Sequence, residues 1–248
     1  MQTPSARKPT GVLPRDLIRP SGPRAPRETI ARFLALEDLA GTVSDVLDKL
    51  AIRGAVGASI LQPTLAGARI VGPAVTVRNV PQALDPYKSA SMKAQLMTEI
   101  EGVNQGDPGD VMVIQGLRDI SNMGGIIASL AHRQGLAGAV VDGGVRDVGQ
   151  SRRIGFPVWS RDISPVTGKW RCETVEVNGT VHVAGIGVRP GDLVIADETG
   201  TCFVPHHLIS QVLELAEEVT RSEREFMRQL ESGMDIGPFA LALYGRTG

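Results

Sequence analysis

Aromatic residues make up only 4% of the 248-residue chain, so the core has to be built from Ala, Val, Ile and Leu. Cysteine is nearly absent. Cys172 and Cys202 make neither a disulfide framework nor a zinc site, and two reduced, packed thiols are expected. Neither charge sign dominates: Lys plus Arg is 26, Asp plus Glu is 27, and the net charge is -1. That balance lacks the electrostatic footprint of a nucleic-acid or anionic-membrane binder. No apolar run approaches the roughly 18 residues of a membrane span, and the first residues lack the apolar stretch of a secretory signal. The expectation is a cytoplasmic protein with no nucleic-acid and no membrane partner. Walker, HExxH and GxSxG patterns are missing, and Gly185-Ile186-Gly187 is not followed by the third glycine of a dinucleotide fingerprint.

At 42% apolar and 21% charged residues, the chain can build a sizeable core. Residues 1–27 hold six prolines and few apolar residues, which predicts a flexible N-terminal arm or an extension laid over a neighbouring surface. The domain is expected over 28–233, followed by a tail, 234–248. Its first helix carries Ile30, Phe33 and Leu34, and a second starts after Thr42 or Ser44, either a good N-cap. Strands are expected over 66–78, 110–116, 137–143 and 156–160, with helices over 89–103, 124–135 and 148–155. That alternation predicts an α/β fold with a partly parallel, two-side-covered sheet. Beyond residue 160 the signals turn antiparallel: alternating runs flank Asn178-Gly179, a strong hairpin cue. A charged C-terminal helix runs from His207 to about Glu231.

The stretch richest in chemistry is Gly124-Gly125-Ile126-Ile127, a helix, and then AVVDGGVRDVG over 139–149. The glycines let a ligand approach the backbone where a loop enters a helix, and the first helical turn presents unpaired N–H groups to an anion. Asp142, Arg146 and Asp147 lie beyond the carboxyl end of the next strand, where open α/β sheets bind ligands. An anion cradle, a guanidinium and a carboxylate converge there. The same residues also admit a structural reading: a tight turn, a surface ion pair and an N-cap at Asp147. His132 reads as a rim or structural residue.

The runs GTVSDVLDKL (41–50), GPAVTVR (72–78), PGDVMVI (108–114), GAVVDGGVRD (138–147), GFPVWSR (155–161) and GVRPGDLVIADETGTCFVP (187–205) resemble, in that order, the RraA-like family. The family includes class II pyruvate aldolases acting on 4-hydroxy-4-methyl-2-oxoglutarate and 4-carboxy-4-hydroxy-2-oxoadipate. The resemblance covers roughly residues 30–233. It implies a compact α/β/β sandwich assembling as homotrimers or homohexamers, with sites at subunit interfaces. It makes Asp147 the protein ligand of Mg²⁺ or Mn²⁺, other divalent cations fitting as well. Arg146 becomes the catalytic contact to the substrate keto oxygen, and Gly124, Gly125, Ile126 and Ile127 the backbone cradle for a carboxylate. The implied reaction is cleavage or decarboxylation of a small 2-oxo acid through a pyruvate enolate. The family also implies a rival, a non-catalytic regulator binding a ribonuclease, and the same metal-enolate core admits a metal-dependent dehydratase or tautomerase of a sugar acid.

This chain departs from the aldolase pattern twice. The acid usually found twenty-one positions before the arginine is Gly125, and the acid three positions after the metal-binding aspartate is Gln150. Asp142, Glu223 and Glu225 are the candidates to replace the missing base, the two glutamates from a neighbouring subunit.

Overall fold

A computed structural model describes residues 7–233 and 235–245. In chain order the elements are α1 Arg27–Leu34, α2 Leu39–Lys49, β1 Ala55–Gly57, β2 Gln62–Pro63, β3 Ile70–Pro81, α3 Pro86–Ser91, α4 Ile100–Gln105, β4 Val111–Gln115, α5 Gly125–Gln134, β5 Gly138–Val145, α6 Val148–Arg153 and β6 Val158–Ile163. Then come β7 Cys172–Val177, β8 Val181–Val183, β9 Ile186–Val188, β10 Leu193–Ala196, β11 Gly200–Val204, α7 Ile209–Glu231 and α8 Ile236–Tyr244. The strands form a nine-stranded sheet ordered β1-β11-β10-β3-β4-β5-β6-β2, with β7 added on β3. Its centre, β3-β4-β5-β6, is parallel. β10 and β11 are antiparallel to their neighbours. This is the mixed α/β architecture expected from the alternating pattern.

The centre is parallel because its strands are buried on both faces. Val111, Met112, Val113 and Ile114 of β4 have no exposed surface, which suits a continuous apolar run rather than an alternating one. α5, α6 and Phe156 cover one face of the parallel region. The small β8-β9 hairpin and Trp159 cover the other. A third apolar cluster joins α1, α2 and α7 to β10 and β11. In α7, Ile209, Val212, Leu213, Ala216 and Thr220 are buried on one stripe, the spacing of an amphipathic helix.

Several expectations need correction. α2 starts at Leu39, after Asp38, because Leu39, Val43, Val46 and Leu47 form one buried stripe. The first long strand is Ile70–Pro81 rather than 66–78. Residues 89–103 are not one helix: the chain leaves α3 at Met92 and re-enters helix at Ile100. Between them it is held by side chains of the sheet, Gln82 donating to Ala94 O at 3.2 Å and the Thr174 hydroxyl accepting from Thr98 N–H at 2.8 Å. Such tertiary bonds override helix propensity. Asn178-Gly179 does not close a hairpin either. β7 pairs with β3, and the hairpin is β8-β9, turning at Ala184 and Gly185 with φ of 50° and 80°. For residues 1–27 the sequence predicts a flexible arm or an extension laid over a neighbouring surface; residues 1–6 lie outside the described residues, and 7–26 pack on the domain. Leu13 is buried, and Arg24 forms a buried ion pair with Asp110, Nη2 to Oδ2 2.7 Å. No helix among the described residues is long and apolar enough to cross a membrane.

Candidate functional site

The site sits at the carboxyl ends of β4 and β5, where the loop 116–124 returns across the sheet edge. Asn122 holds that loop. It is fully buried, donates from Nδ2 to Leu117 O and Ile120 O at 2.8 Å each, and accepts from Leu117 N–H at 3.0 Å. Its own N–H reaches Gly144 O at 2.8 Å. The loop therefore lies directly on the Gly143-Gly144 backbone. A Cβ at Gly143 would come within 2.6 Å of Leu117 O, and one at Gly144 within 2.6 Å of Ile120 O. The double glycine of DGGVRD thus permits close packing of backbone on backbone, and the chain then turns out into Arg146 and Asp147.

Arg146 N–H donates to Met123 O at 3.1 Å, which ties the arginine to the glycine loop. Asp147 is the N-cap of α6 but does not cap it with its side chain. Its φ of 55° and ψ of 33° are left-handed, a conformation aspartate tolerates better than most residues. This backbone twist turns the carboxylate toward α5. There Oδ2 accepts Gly125 N–H at 3.0 Å and lies 3.5 Å from Arg146 Nε. The Asp147 side chain is 50% exposed, and its Oδ1 accepts no hydrogen bond among the described residues.

Gly124, Gly125, Ile126, Ile127, Arg146 and Asp147 all line one cavity of about 230 Å³. A wider open cleft of about 730 Å³, lined also by Arg133, Gln150 and Arg153, adjoins it at Gly125, Ile126 and Asp147. Of the cradle's four N–H groups, Gly125 N–H is engaged by Asp147. Those of Gly124, Ile126 and Ile127 have no acceptor among the described residues, as the first turn of a helix leaves them. Gln150 packs where a side chain at position 125 would go: a Cβ there would lie 3.2 Å from Gln150 Cβ and 3.1 Å from Asp147 Cβ.

The candidate replacement bases fall elsewhere. Asp142 is committed on both oxygens, to Arg161 Nε and to Ala184 N–H, the latter at 2.8 Å. Within the chain, Glu225 pairs with Arg228 at 3.1 Å on α7, and Glu223 faces Asp38 and Asp45. His132 is exposed and outside the cavity. The cysteines are buried and free. Burial pushes both thiols up to about 12, which removes them as nucleophiles at neutral pH.

Two charged residues of the cavity wall escaped the sequence analysis, Glu99 and Lys169. Glu99 is 5% exposed. Burial raises its pKa to about 7, against the opposing pull of its own backbone N–H, Lys169 and Arg146. Glu99 sits where the helix expected over 89–103 is interrupted, and Lys169 lies in the irregular connection before β7. Neither position carries a motif. Glu99 is one of two acids, with Glu101, in a segment that reads only as helical.

With this geometry in place, the chain matches the family model RraA-like (Aldolase/RraA) over residues 40–203. It is 30% identical over 178 residues to a putative 4-hydroxy-4-methyl-2-oxoglutarate aldolase of Halalkalibacterium halodurans, covering 71% of this chain and 77% of that protein. It is 28% identical over 196 residues to protein DlpA of Legionella pneumophila, covering 78% of this chain but only 30% of DlpA. Among solved structures, an uncharacterized protein of Pseudomonas syringae matches with a TM-score of 0.74 at 25% identity, covering 88% of this chain and all of that one. RraAS2 of Streptomyces coelicolor, described as an unusual member of the RNase ES inhibitor RraA protein family, matches with a TM-score of 0.68 at 26% identity, covering 84% and 98%. The chain belongs to the RraA-like family.

Proposed function

We propose that the protein is a divalent-metal-dependent lyase that cleaves or decarboxylates a small 2-oxo acid through a pyruvate enolate. The observation that carries this reading is the single cavity that joins Arg146, Asp147 and the free N–H groups of Ile126 and Ile127. Similarity to a protein named as a putative 4-hydroxy-4-methyl-2-oxoglutarate aldolase supports it.

Asp147 suits a hard cation. It is a half-exposed carboxylate with one oxygen free, and among the described residues no cluster of three or more His, Cys, Asp or Glu stands ready to enclose a metal. An ion held by one carboxylate keeps most of its waters and leaves room for a chelating substrate, as Mg²⁺ and Mn²⁺ sites of few protein ligands do. When bound, such an ion supplies Lewis-acid polarisation of the keto oxygen. The Arg146 guanidinium stabilises the charge that develops on that oxygen as the enolate forms. Ile126 and Ile127 N–H groups bind the adjacent carboxylate at the positive end of α5. Lys169, on the same cavity wall, suits a second carboxylate, and dicarboxylic 2-oxo acids meet both cations.

The test is pyruvate release from oxaloacetate and from 4-hydroxy-4-methyl-2-oxoglutarate by metal-stripped protein, with and without Mg²⁺ or Mn²⁺. Metal-dependent pyruvate is expected, and Asp147→Asn abolishes it with the fold intact. Absence of pyruvate from both substrates would reject the lyase. It would favour the regulator reading, which rests on similarity to the Streptomyces RraA protein.

A further inference from the structure

Gly125 offers the cavity no side chain, yet an enolate must gain a proton at carbon before pyruvate can leave. The cavity contains a carboxyl without a structural task. Glu99 occupies the N-cap position of α4 but makes no capping hydrogen bond, and no other described residue hydrogen-bonds its side chain. It is nearly inaccessible to bulk water, at 5% exposure, while lining the same small cavity as Arg146, Asp147 and Lys169. A buried carboxyl held by nothing more than its own backbone N–H destabilises a fold, so its position calls for an explanation other than packing.

We propose that Glu99 is a catalytic residue, the proton-transfer group of this cavity. This rests on the lyase reading above. In aldol cleavage the Glu99 carboxylate takes the proton of the C4 hydroxyl as the C3–C4 bond breaks. The bonding electrons become the C2–C3 enolate, and C4 becomes the keto carbon of the second product. Glu99, now a carboxylic acid, returns that proton to C3 and completes the pyruvate methyl group. The step is redox-neutral and leaves the residue as it began. In decarboxylation no hydroxyl proton is removed, so only the final protonation uses Glu99, and solvent can replace it there. In the reverse sense the Glu99 carboxylate removes a methyl proton from pyruvate and exchanges it with solvent.

The charged and titratable groups facing Glu99 are Arg146 from the end of β5, Lys169 from the connection before β7, and Cys172 at the start of β7, with Asp147 on the cavity wall. The two cations keep the carboxylate accessible despite its burial. A carboxyl titrating at about 7 is populated in both forms at neutral pH, as proton transfer in both directions requires.

The experiment compares wild type with Glu99→Gln in three reactions, using Mg²⁺-loaded full-length protein. These are cleavage of 4-hydroxy-4-methyl-2-oxoglutarate, decarboxylation of oxaloacetate, and deuterium exchange into the methyl group of pyruvate in D₂O. Cleavage and exchange are expected to fall about 10²–10⁴-fold, with decarboxylation within about tenfold of wild type and an unchanged circular dichroism spectrum. In wild type the exchange rate rises with pH through about 7. Unchanged cleavage and exchange in Glu99→Gln would overturn the assignment while leaving the lyase reading intact. So would an equal fall in all three reactions, which marks a structural role. A wild type inactive in all three overturns the lyase reading, and this inference with it.

Discussion

Glu99 and Glu101 stand two residues apart, both buried, and their surroundings are opposite. Glu101 has no exposed surface and is fully used. Its carboxylate accepts from Thr10 N–H at 2.9 Å, from the Thr10 hydroxyl, from Asn104 Nδ2 at 2.9 Å and from Gln105 Nε2 at 2.8 Å. Burial pushes its pKa up, but those hydrogen bonds outweigh burial and hold the carboxyl below its ordinary value. Glu99 has the burial with only its own backbone N–H as donor, and its pKa is raised to about 7. One carboxylate fastens the N-terminal arm to α4, and its neighbour faces a cavity with two cations. The difference separates what a buried charge does for stability from what it can do for chemistry.

Mutations on the two sides should break along the same line. The largest effect belongs to the cavity. Arg146→Ala should lower pyruvate-forming turnover about 10²–10³-fold, the loss seen when an oxyanion donor is removed. It should also move the pH dependence upward, because Arg146 draws the Glu99 pKa down. Steady-state rates across pH check both, and a loss below about threefold would mean that the guanidinium points away from the reacting oxygen.

Glu101→Ala comes next and should act on stability alone. It strands one buried donor, Gln105, and the partly covered donors of Thr10 and Asn104, at a cost of about 2 kcal/mol. A lower Tm and faster proteolysis of the arm, with turnover per folded molecule retained, would confirm the division.

Glu99→Gln should do the reverse at alkaline pH. A carboxyl whose pKa rises on folding favours the folded state below its unfolded value of 4.5, and that advantage is lost as pH climbs through about 7. The native protein at pH 8 therefore bears up to about 3 kcal/mol that the amide avoids. Glu99→Gln should melt above wild type at pH 8, with the gap closing toward pH 5.

The smallest effect is Gly125→Asp. Alone it crowds Gln150 and Asp147, whose side chains lie 3.2 Å and 3.1 Å from the new Cβ, and should cost about 1–2 kcal/mol. Combined with Gln150→Ala, which removes the Gln150 Cγ contact, it should recover part of that stability and raise the ratio of aldolase to decarboxylase rates. An unmoved ratio would show that the missing acid does not set the choice of reaction.

The parallel centre of the sheet was readable from the sequence because β4 and β5 are short apolar runs bounded by turns, a pattern that depends on burial alone. The Gly124-Gly125 and Arg146-Asp147 pairs were visible because loop chemistry at a strand end is local. Glu99 and Lys169 were not, since the chain reaches them through irregular segments fixed by distant partners. Thr98, next to Glu99, is held by Thr174, which in turn donates to Asn79 Oδ1 at 2.8 Å. No periodicity encodes such a bond. The false hairpin at Asn178 has a similar origin. The residue does adopt a positive φ of 58°, but β3 captures β7, and β8 is left to pair with β9.

The most direct test of the central claim is deuterium incorporation into the pyruvate methyl group, followed by proton NMR with Mg²⁺ or Mn²⁺ present. It requires only that the cavity stabilise an enolate, whatever the rest of the natural substrate is. Incorporation well above the metal-only background in wild type, lost in both Arg146→Ala and Asp147→Asn, is the predicted result. Incorporation no faster than metal ion alone would contradict the account.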